Sequence, residues 1–414
     1  MKWFGTDGIR LENEKKLENI SKQVAYALCC IGAKKIIVGR DTRPSGKQLL
    51  KTFCSSANSF GISCENIGVL PSSAVSFYTI FHEADFGVAI TASHNPSNFN
   101  GIKIFDRNGK KINKCLEENI ESYFNISNKQ KNITPVKTKK ICTKAYSNFL
   151  IANGKMLKNK TIFLDTANGA ASKIAKKIFT ELGANVKMFF CGSGKNINKN
   201  CGAVHPEILA KKIKELGANF GFAFDGDADR CVCVLSDGTV LNGDNVMFGL
   251  ARCSGYKNVV GTILANGALD ESFKKNNINF LRCDVGDREV LEAMEQNKID
   301  FGGERSGHFI FKNILPTGDG IITALQILKC KDFFKKCKFK KIASVSKNVN
   351  SFNKEKDLQK LNICKKNCMD VLSNNGRLII RPSGTESKIR ILVEHKKLLT
   401  AKSIADTLEN ILKK

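Results

Sequence analysis

One pattern occurs three times in this chain, and it limits the architectures open to it. A short β-branched run ends in a polar turn that opens a helical stretch: IIVGRDTRPSG, TIFLDTANGAAS and VVGTILANGALD. Downstream of each, a second apolar run enters a polar loop: ADFGVAITASHNP, ANFGFAFDGDADR and IDFGGERSGHFIF. The order of parts carries more than the residue-by-residue match. Three successive units of this kind read as three similar α/β domains. KIIVGR, TIFLD, FGFAF, NVVGTIL and RLIIRP are predicted strands, and 20–31, 46–59 and 172–182 are predicted helices. In parallel sheets function gathers at the carboxyl ends of strands, so all three polar loops could line one cleft.

The tail differs. From SVSKNVNS to ILKK it holds two strand-like runs, GRLIIRP and SKIRILVEH, around a turn, then a helical pattern. This predicts a smaller α+β fourth domain. A chain of 414 residues is too long for one core. The expected division is 1–140, 141–238, 239–345 and 346–414.

Composition narrows the partners. The formal charge is +27, from 66 Lys and Arg against 39 Asp and Glu. The lysines are scattered, without aromatic interleaving or a nucleic-acid-binding motif, so nucleic acid is not the expected partner. Part of the charge can attract an anionic small substrate. MKWFGTDGIR has no apolar leader pattern, and the longest apolar run, VAYALCCIGA, is too short to span a membrane. Sixteen cysteines without a C-x-x-C, several singly in apolar runs (Cys54, Cys64, Cys191, Cys231, Cys233), read as reduced, buried thiols of a cytoplasmic protein.

Four loops carry the chemistry. DGDADR places Asp225, Asp227 and Asp229 at alternating positions after an apolar strand. Carboxylates this close repel unless a cation joins them, and oxygen-only ligands suit Mg²⁺ or Mn²⁺. A calcium EF-hand is excluded, since its Gly and Glu positions hold Arg230 and Ser236. TASHNPSNFNGIKIF offers Ser93 at a strand's end, flanked by His94 and Asn95, with Pro96 stiffening the turn. No G-x-S-x-G is present, which argues against a hydrolase elbow. GGERSGH offers Glu304, Ser306 and His308 among glycines, groups suited to adjacent sugar hydroxyls. RPSGTESKIR reads as an anion cradle: Arg381 and Arg390 can fork onto phosphate, Ser383 and Thr385 add hydroxyls, and Gly384 lets backbone N–H groups approach. No Walker A motif occurs, so phosphate on a small molecule is expected in preference to nucleotide hydrolysis.

Taken together, FGTDGIR, TASHNPSNFNGIKIF, DGDADR, GGERSGH and RPSGTESKIR resemble the α-D-phosphohexomutase family, in order and spacing, over essentially the whole chain. The resemblance implies four domains around a central cleft. It implies that Ser93 carries a phosphoryl group, and that Asp225, Asp227 and Asp229 bind one Mg²⁺ with a phosphoserine oxygen completing the site. Glu304 and Ser306 would contact sugar hydroxyls. Arg381, Ser383, Gly384, Thr385 and Arg390 would clamp the substrate's phosphate. Lys103 and His308 would be candidates for proton transfer, and Arg10 and Arg230 would balance charge near the phosphoserine, with His94 in support. A hexose bisphosphate would act as intermediate and activator, and the protein would be a monomer or homodimer.

The sugar is a finer choice. FGTDGIR, and PTGDGI from Pro316 to Ile321, resemble the members that act on glucosamine phosphate. Against them, Arg305 stands where those members usually carry Gln or Asn, and Leu11 replaces a usual Gly. An arginine is an odd neighbour for a cationic amino group. Glucosamine phosphate is therefore the expected substrate, with glucose or mannose phosphate as the alternative on the same scaffold. A metal-dependent phosphatase using the same serine, and a non-enzymatic relic, are the rivals of other classes.

Overall fold

The computed structural model describes residues 3–126, 137–383 and 387–413. The first sheet contains β1 (Ile9–Leu11), β2 (Lys35–Arg40), β3 (Ser63–Val69), β4 (Phe86–Ile90), β5 (Asn100–Asp106) and β6 (Lys139–Lys140), in the order β1-β5-β4-β2-β3-β6. The second contains β7 (Thr161–Asp165), β8 (Asn185–Phe189), β9 (Phe220–Phe224), β10 (Cys231–Leu235) and β11 (Val240–Leu241), in the order β11-β10-β9-β7-β8. The third is β13-β12-β14-β15, from β12 (Asn258–Thr262), β13 (Asn279–Cys283), β14 (Phe301–Gly303) and β15 (Phe309–Phe311). The sequence repeat is therefore a repeat of topology. In each sheet the first strand (β2, β7, β12) pairs in parallel with the next strand on one side and with the second apolar run (β4, β9, β14) on the other. The chain then turns back antiparallel as β5, β10 or β15.

This layout puts the three polar loops at equivalent points. Residues 91–99 lie between β4 and β5, 225–230 between β9 and β10, and 304–308 between β14 and β15. Parallel strands buried on both faces read as continuous apolar runs, which is why FGVAI and FGFAF lack alternation. The fourth sheet is antiparallel throughout, β16-β18-β17, from β16 (Ala343–Asn350), β17 (Gly376–Pro382) and β18 (Lys388–His395), with helices Lys354–Leu372 and Leu398–Lys413 against it. The α/β reading, with a smaller α+β unit at the end, is what the structure has.

Local signals explain the boundaries. The predicted helix at 46–59 is observed at Gly46–Ser59, and the one at 172–182 at Ala171–Glu181. The helix expected from residue 20 begins at Glu14, because Asn13 accepts from the Lys16 amide and caps a first turn that is mostly charged. One buried apolar cluster runs through the first three units, from Ile37 and Tyr78 through Leu164 and Phe222 to Phe301 and Ile321. The fourth unit has its own core around Leu361, Ile391, Val393 and Leu408. All cysteines are free; Cys54, Cys64, Cys231 and Cys233 are buried as expected, whereas Cys191 is exposed just beyond β8. Among the described residues no helix is long and apolar enough to cross a membrane.

Candidate active site

Loops of all four units meet around a cavity of about 440 Å³. Its wall carries Arg10 and His94 from the first unit, Asp229 and Arg230 from the second, Glu304, Ser306 and His308 from the third, and Arg381, Ser383 and Arg390 from the fourth. Ser93, Asp225 and Asp227 lie behind this wall and are buried. Gly384 and Thr385, expected in the anion cradle, lie outside the described residues.

Ser93 sits in the left-handed region, with φ at +48°, a conformation that costs a non-glycine residue about 1–3 kcal/mol. The surroundings enforce it. Ser93 N donates to Thr91 Oγ1 at 2.9 Å, and Thr91 Oγ1 donates to Asp41 Oδ2 at 2.7 Å. Arg43, fully buried, pairs with Asp41 at 2.9 Å and donates to the carbonyls of Ser93, Asn95, Pro96 and Phe99. From the second unit, Asn198 Nδ2 donates to the carbonyls of Ser93 and Asn95 at 2.8 and 2.9 Å. The loops of the two units then touch at Gly226, where a Cβ would lie 2.6 Å from the Ser93 carbonyl oxygen. With the backbone so fixed, Ser93 Oγ donates to Asp225 Oδ2 at 2.7 Å, and His94 Nδ1 stands 3.4 Å from Oγ. Burial, with the charges of Arg230 and Arg10, pushes the His94 pKa down to about 3, so this imidazole is neutral.

The three aspartates converge as the alternating spacing requires. One oxygen from each lies within 4.8 Å of the others, and all three residues are buried. Asp227 Oδ1 accepts no hydrogen bond among the described residues. Burial and the charges of Asp229 and Asp227 push the Asp225 carboxyl well above the usual carboxylate range. An orphaned buried carboxylate oxygen beside two more carboxylates is a donor set that fits a hard divalent cation.

Positive groups surround this acid. Lys103, on β5 opposite Ala89, places Nζ 2.8 Å from Asp227, 2.7 Å from Asp229 and 3.1 Å from Asp7. Burial disfavours its ammonium, but the three carboxylates outweigh that and hold its pKa well above the ordinary lysine value. Arg230 donates its amide to Asp225 Oδ1 at 3.2 Å, and Asp225 and Asp229 keep its guanidinium charged against burial. Arg10 donates to Asn95 Oδ1 at 2.7 Å and pairs with Asp7.

The third loop is joined to the second through backbone: Arg230 bridges His308, and Cys231 N donates to Gly307 O at 2.9 Å. His308 Nδ1 is 3.8 Å from Asp229 and Nε2 is 3.5 Å from Asp287. Burial lowers its pKa, but these two carboxylates raise it further, for a net rise. Gly318 leaves room for the ring, since a Cβ there would lie 2.2 Å from His308 Nε2. Ser306 Oγ is 3.4 Å from Glu304 Oε2, and burial raises the Glu304 pKa while the charge on His308 opposes. Across the cavity, Arg381 and Arg390 sit on paired positions of β17 and β18. Burial and the charge of Arg390 lower the Arg381 pKa, and Arg381 Nε has no hydrogen-bond partner among the described residues. Two adjacent guanidinium groups, with Arg390 3.4 Å from Ser383 Oγ, make a donor set suited to an anion.

Each described candidate thus lies at the cavity or directly behind it. Sequence reasoning missed the frame. Arg43 and Asp41 lie in RDTRPSG, at the end of the first repeat's leading strand, where their position was the available signal. Asp7 lies inside a motif already singled out, and pairs with Lys111, which also pairs with Asp287. Asn198 stands in a Lys/Asn-rich stretch with nothing to mark it.

Comparison with known proteins agrees with the four-unit organisation. Family models described as phosphoglucomutase/phosphomannomutase alpha/beta/alpha domains I, II and III match residues 1–131, 143–238 and 242–346, and the C-terminal domain of the same family matches 335–411. The chain is 37% identical to the phosphoglucosamine mutase of Campylobacter concisus, over 100% of this chain and 99% of that one. It is 38% identical to that of Campylobacter curvus, over 96% and 95%. Among solved structures, a phosphoglucomutase/phosphomannomutase family protein from Burkholderia thailandensis superposes with a TM-score of 0.84 at 21% identity, covering 100% of this chain and 97% of that one. The N-acetylphosphoglucosamine mutase of Aspergillus fumigatus, in complex with GlcNAc-6P and magnesium, gives 0.65 at 16%, covering 99% and 95%. With every unit matched in order and relatives alike from end to end, the chain belongs to the α-D-phosphohexomutase family and is a phosphohexomutase isomerase.

Proposed function

We propose that the chain interconverts glucosamine 6-phosphate and glucosamine 1-phosphate through a phosphoserine at Ser93 and a bisphosphorylated sugar. The observation that carries this reading is that Ser93, its Oγ 2.7 Å from Asp225, lies directly behind the wall of a cavity whose lining includes Arg381 and Arg390. A hexose phosphate seated with its phosphate on Arg381, Ser383 and Arg390 turns its free hydroxyl toward Ser93. The Ser93 O–P bond breaks as a bond from phosphorus to that hydroxyl forms. The sugar then turns end for end, and its other phosphate returns to Ser93. The arginine clamp accepts either end because it reads the anion and not the ring.

Asp225, Asp227 and Asp229 would hold one Mg²⁺, whose chemistry when bound is to neutralise charge on the transferring phosphoryl oxygens. Arg10 and Arg230 add positive charge near the same place. Lys103 and His308 are the two proton-transfer candidates, and neighbouring carboxylates favour the charged form of each. Glu304 and Ser306 face the sugar hydroxyls. Hexose bisphosphate restores any enzyme that has lost its phosphoryl group.

Both full-length relatives cited above are phosphoglucosamine mutases, which supports the amino sugar. Arg305 favours the rival, a glucose or mannose phosphate. Its guanidinium lines the cavity but lies 3.8 Å from the buried carboxylate of Asp244, which offsets its charge. A coupled assay with catalytic hexose bisphosphate tests the choice. Turnover on glucosamine 1-phosphate should exceed that on glucose 1-phosphate; the reverse order would transfer the assignment to the rival. Release of inorganic phosphate without isomerisation would point to a phosphatase.

A further inference from the structure

A second cavity, of about 670 Å³, opens beside the seam between the third and fourth units. Six cations line it, Arg252, Lys275, Lys338, Lys340, Lys341 and Lys396, against one carboxylate, Glu271. Glu271 is already engaged by Lys275 at 2.6 Å. The other five cations make no ion pair among the described residues. Like charges gathered around one concavity repel, and the arrangement is relieved by an anion. Enclosure lowers the Lys341 pKa, Asp244 opposes, and Arg305, which lines the catalytic cavity, adds to the lowering.

The wall also has an aromatic part. Phe248 and Phe339 meet edge to face with centroids 5.6 Å apart, and the Arg252 guanidinium lies over Phe248 at 5.2 Å. Cavities of a few hundred Å³ take small molecules. We propose that this cavity binds a nucleotide, its base against Phe339 and its phosphates among Lys338, Lys340, Lys341 and Lys396. Neither the rings nor the cations have a part in the catalytic cleft described above.

The position gives such binding a consequence. Residues 338–342 form one wall and carry the chain into β16, the first strand of the fourth unit. Ile342 is tied to Asn266 of the third unit in both directions, N to Oδ1 at 3.1 Å and O to Nδ2 at 2.9 Å. A nucleotide bridging Lys338, Lys340 and Lys396 fastens the two units together. This consequence rests on the proposed function, in which the fourth unit must release its grip while the intermediate turns, and occupancy then slows turnover.

Binding is tested on the full chain by calorimetry with ATP, UTP and pyrophosphate, with hexose phosphate saturating the cleft. ATP or UTP should bind about tenfold or more tightly than pyrophosphate. Lys338→Glu/Lys340→Glu should weaken nucleotide binding by about tenfold or more while leaving nucleotide-free turnover and thermal midpoint unchanged. Absence of nucleotide binding at about 1 mM, or binding that survives the charge reversal, overturns the site. Equal affinity for pyrophosphate overturns the nucleotide assignment. Binding without any effect on mutase turnover overturns the fastening of the two units alone, and binding to a protein without mutase activity leaves the site standing while the proposed function fails.

Discussion

The junction between the first and second units and that between the third and fourth are made of different materials. At the first, apolar side chains of both units belong to one buried cluster, and the Ser93 loop is held from both sides by Arg43 and Asn198. At the second, the fourth unit keeps its own core and meets the rest through polar groups. Glu394 accepts from Gly267 N at 2.9 Å and Asn266 Nδ2 at 3.2 Å, and pairs with Arg377 at 2.8 Å, while Arg377 donates to Ala265 O at 2.5 Å. Separating a shared apolar core exposes surface to water at about 25 cal/mol per Å². Breaking a polar seam mostly exchanges its hydrogen bonds for water's, at about 0.5–1.5 kcal/mol each. The junction at the serine end of the cleft is thus the costlier to separate, and the polar seam at the Arg381 and Arg390 end the less costly.

Substitutions can break that contrast or sharpen it. The largest effect is expected at the fixed end. Ser93→Ala should remove mutase activity by on the order of 10⁴-fold or more, with the thermal midpoint unchanged, as read by coupled assay and calorimetry. Stripping divalent ions with a chelator should come next. A loss of about a hundredfold or more, restored by Mg²⁺, is expected if the three aspartates need a cation; full activity in chelator would refute the metal. Arg43→Met should cost about 3–5 kcal/mol in urea unfolding, because it leaves Asp41 buried and four carbonyls short of a donor. Arg43→Lys should recover only part, since an ammonium has three donors in place of a planar fork. The smallest effect belongs to the polar seam. Glu394→Gln should cost about 1 kcal/mol and raise KM for hexose phosphate more than it lowers kcat. If Glu394→Gln proved as damaging to stability as Arg43→Met, the two junctions would not differ as described.

Legibility in the sequence follows the same division. The repeat was visible because parallel strands buried on both faces must be apolar throughout, and FGVAI, FGFAF and NVVGT leave little else to be. The aspartates, Ser93 and the arginine pair were visible because their chemistry forces unusual spacings. What escaped was the framework at long range. Arg43 finds its partners some 50 positions away in Ser93, Asn95, Pro96 and Phe99, and Asn198 reaches back 105 positions to Ser93. Such pairings depend on which loops the topology brings together, and a linear string does not show that. The early start of the first long helix was missed for a local reason: its opening turn is capped and charged, and carries little apolar signal.

The pinned backbone at Ser93 has a bearing on reversibility. On the proposed route the sugar presents itself twice, once from each end, to one oxygen. With that oxygen's carrier clamped by a guanidinium on one side and an amide on the other, both arrivals meet an identical target. Any difference in the affinity for the two sugar phosphates then originates in how each fits the opposite wall, so changes confined to that wall would shift the two KM values without touching the point of transfer, while the equilibrium between the free sugars stays the same.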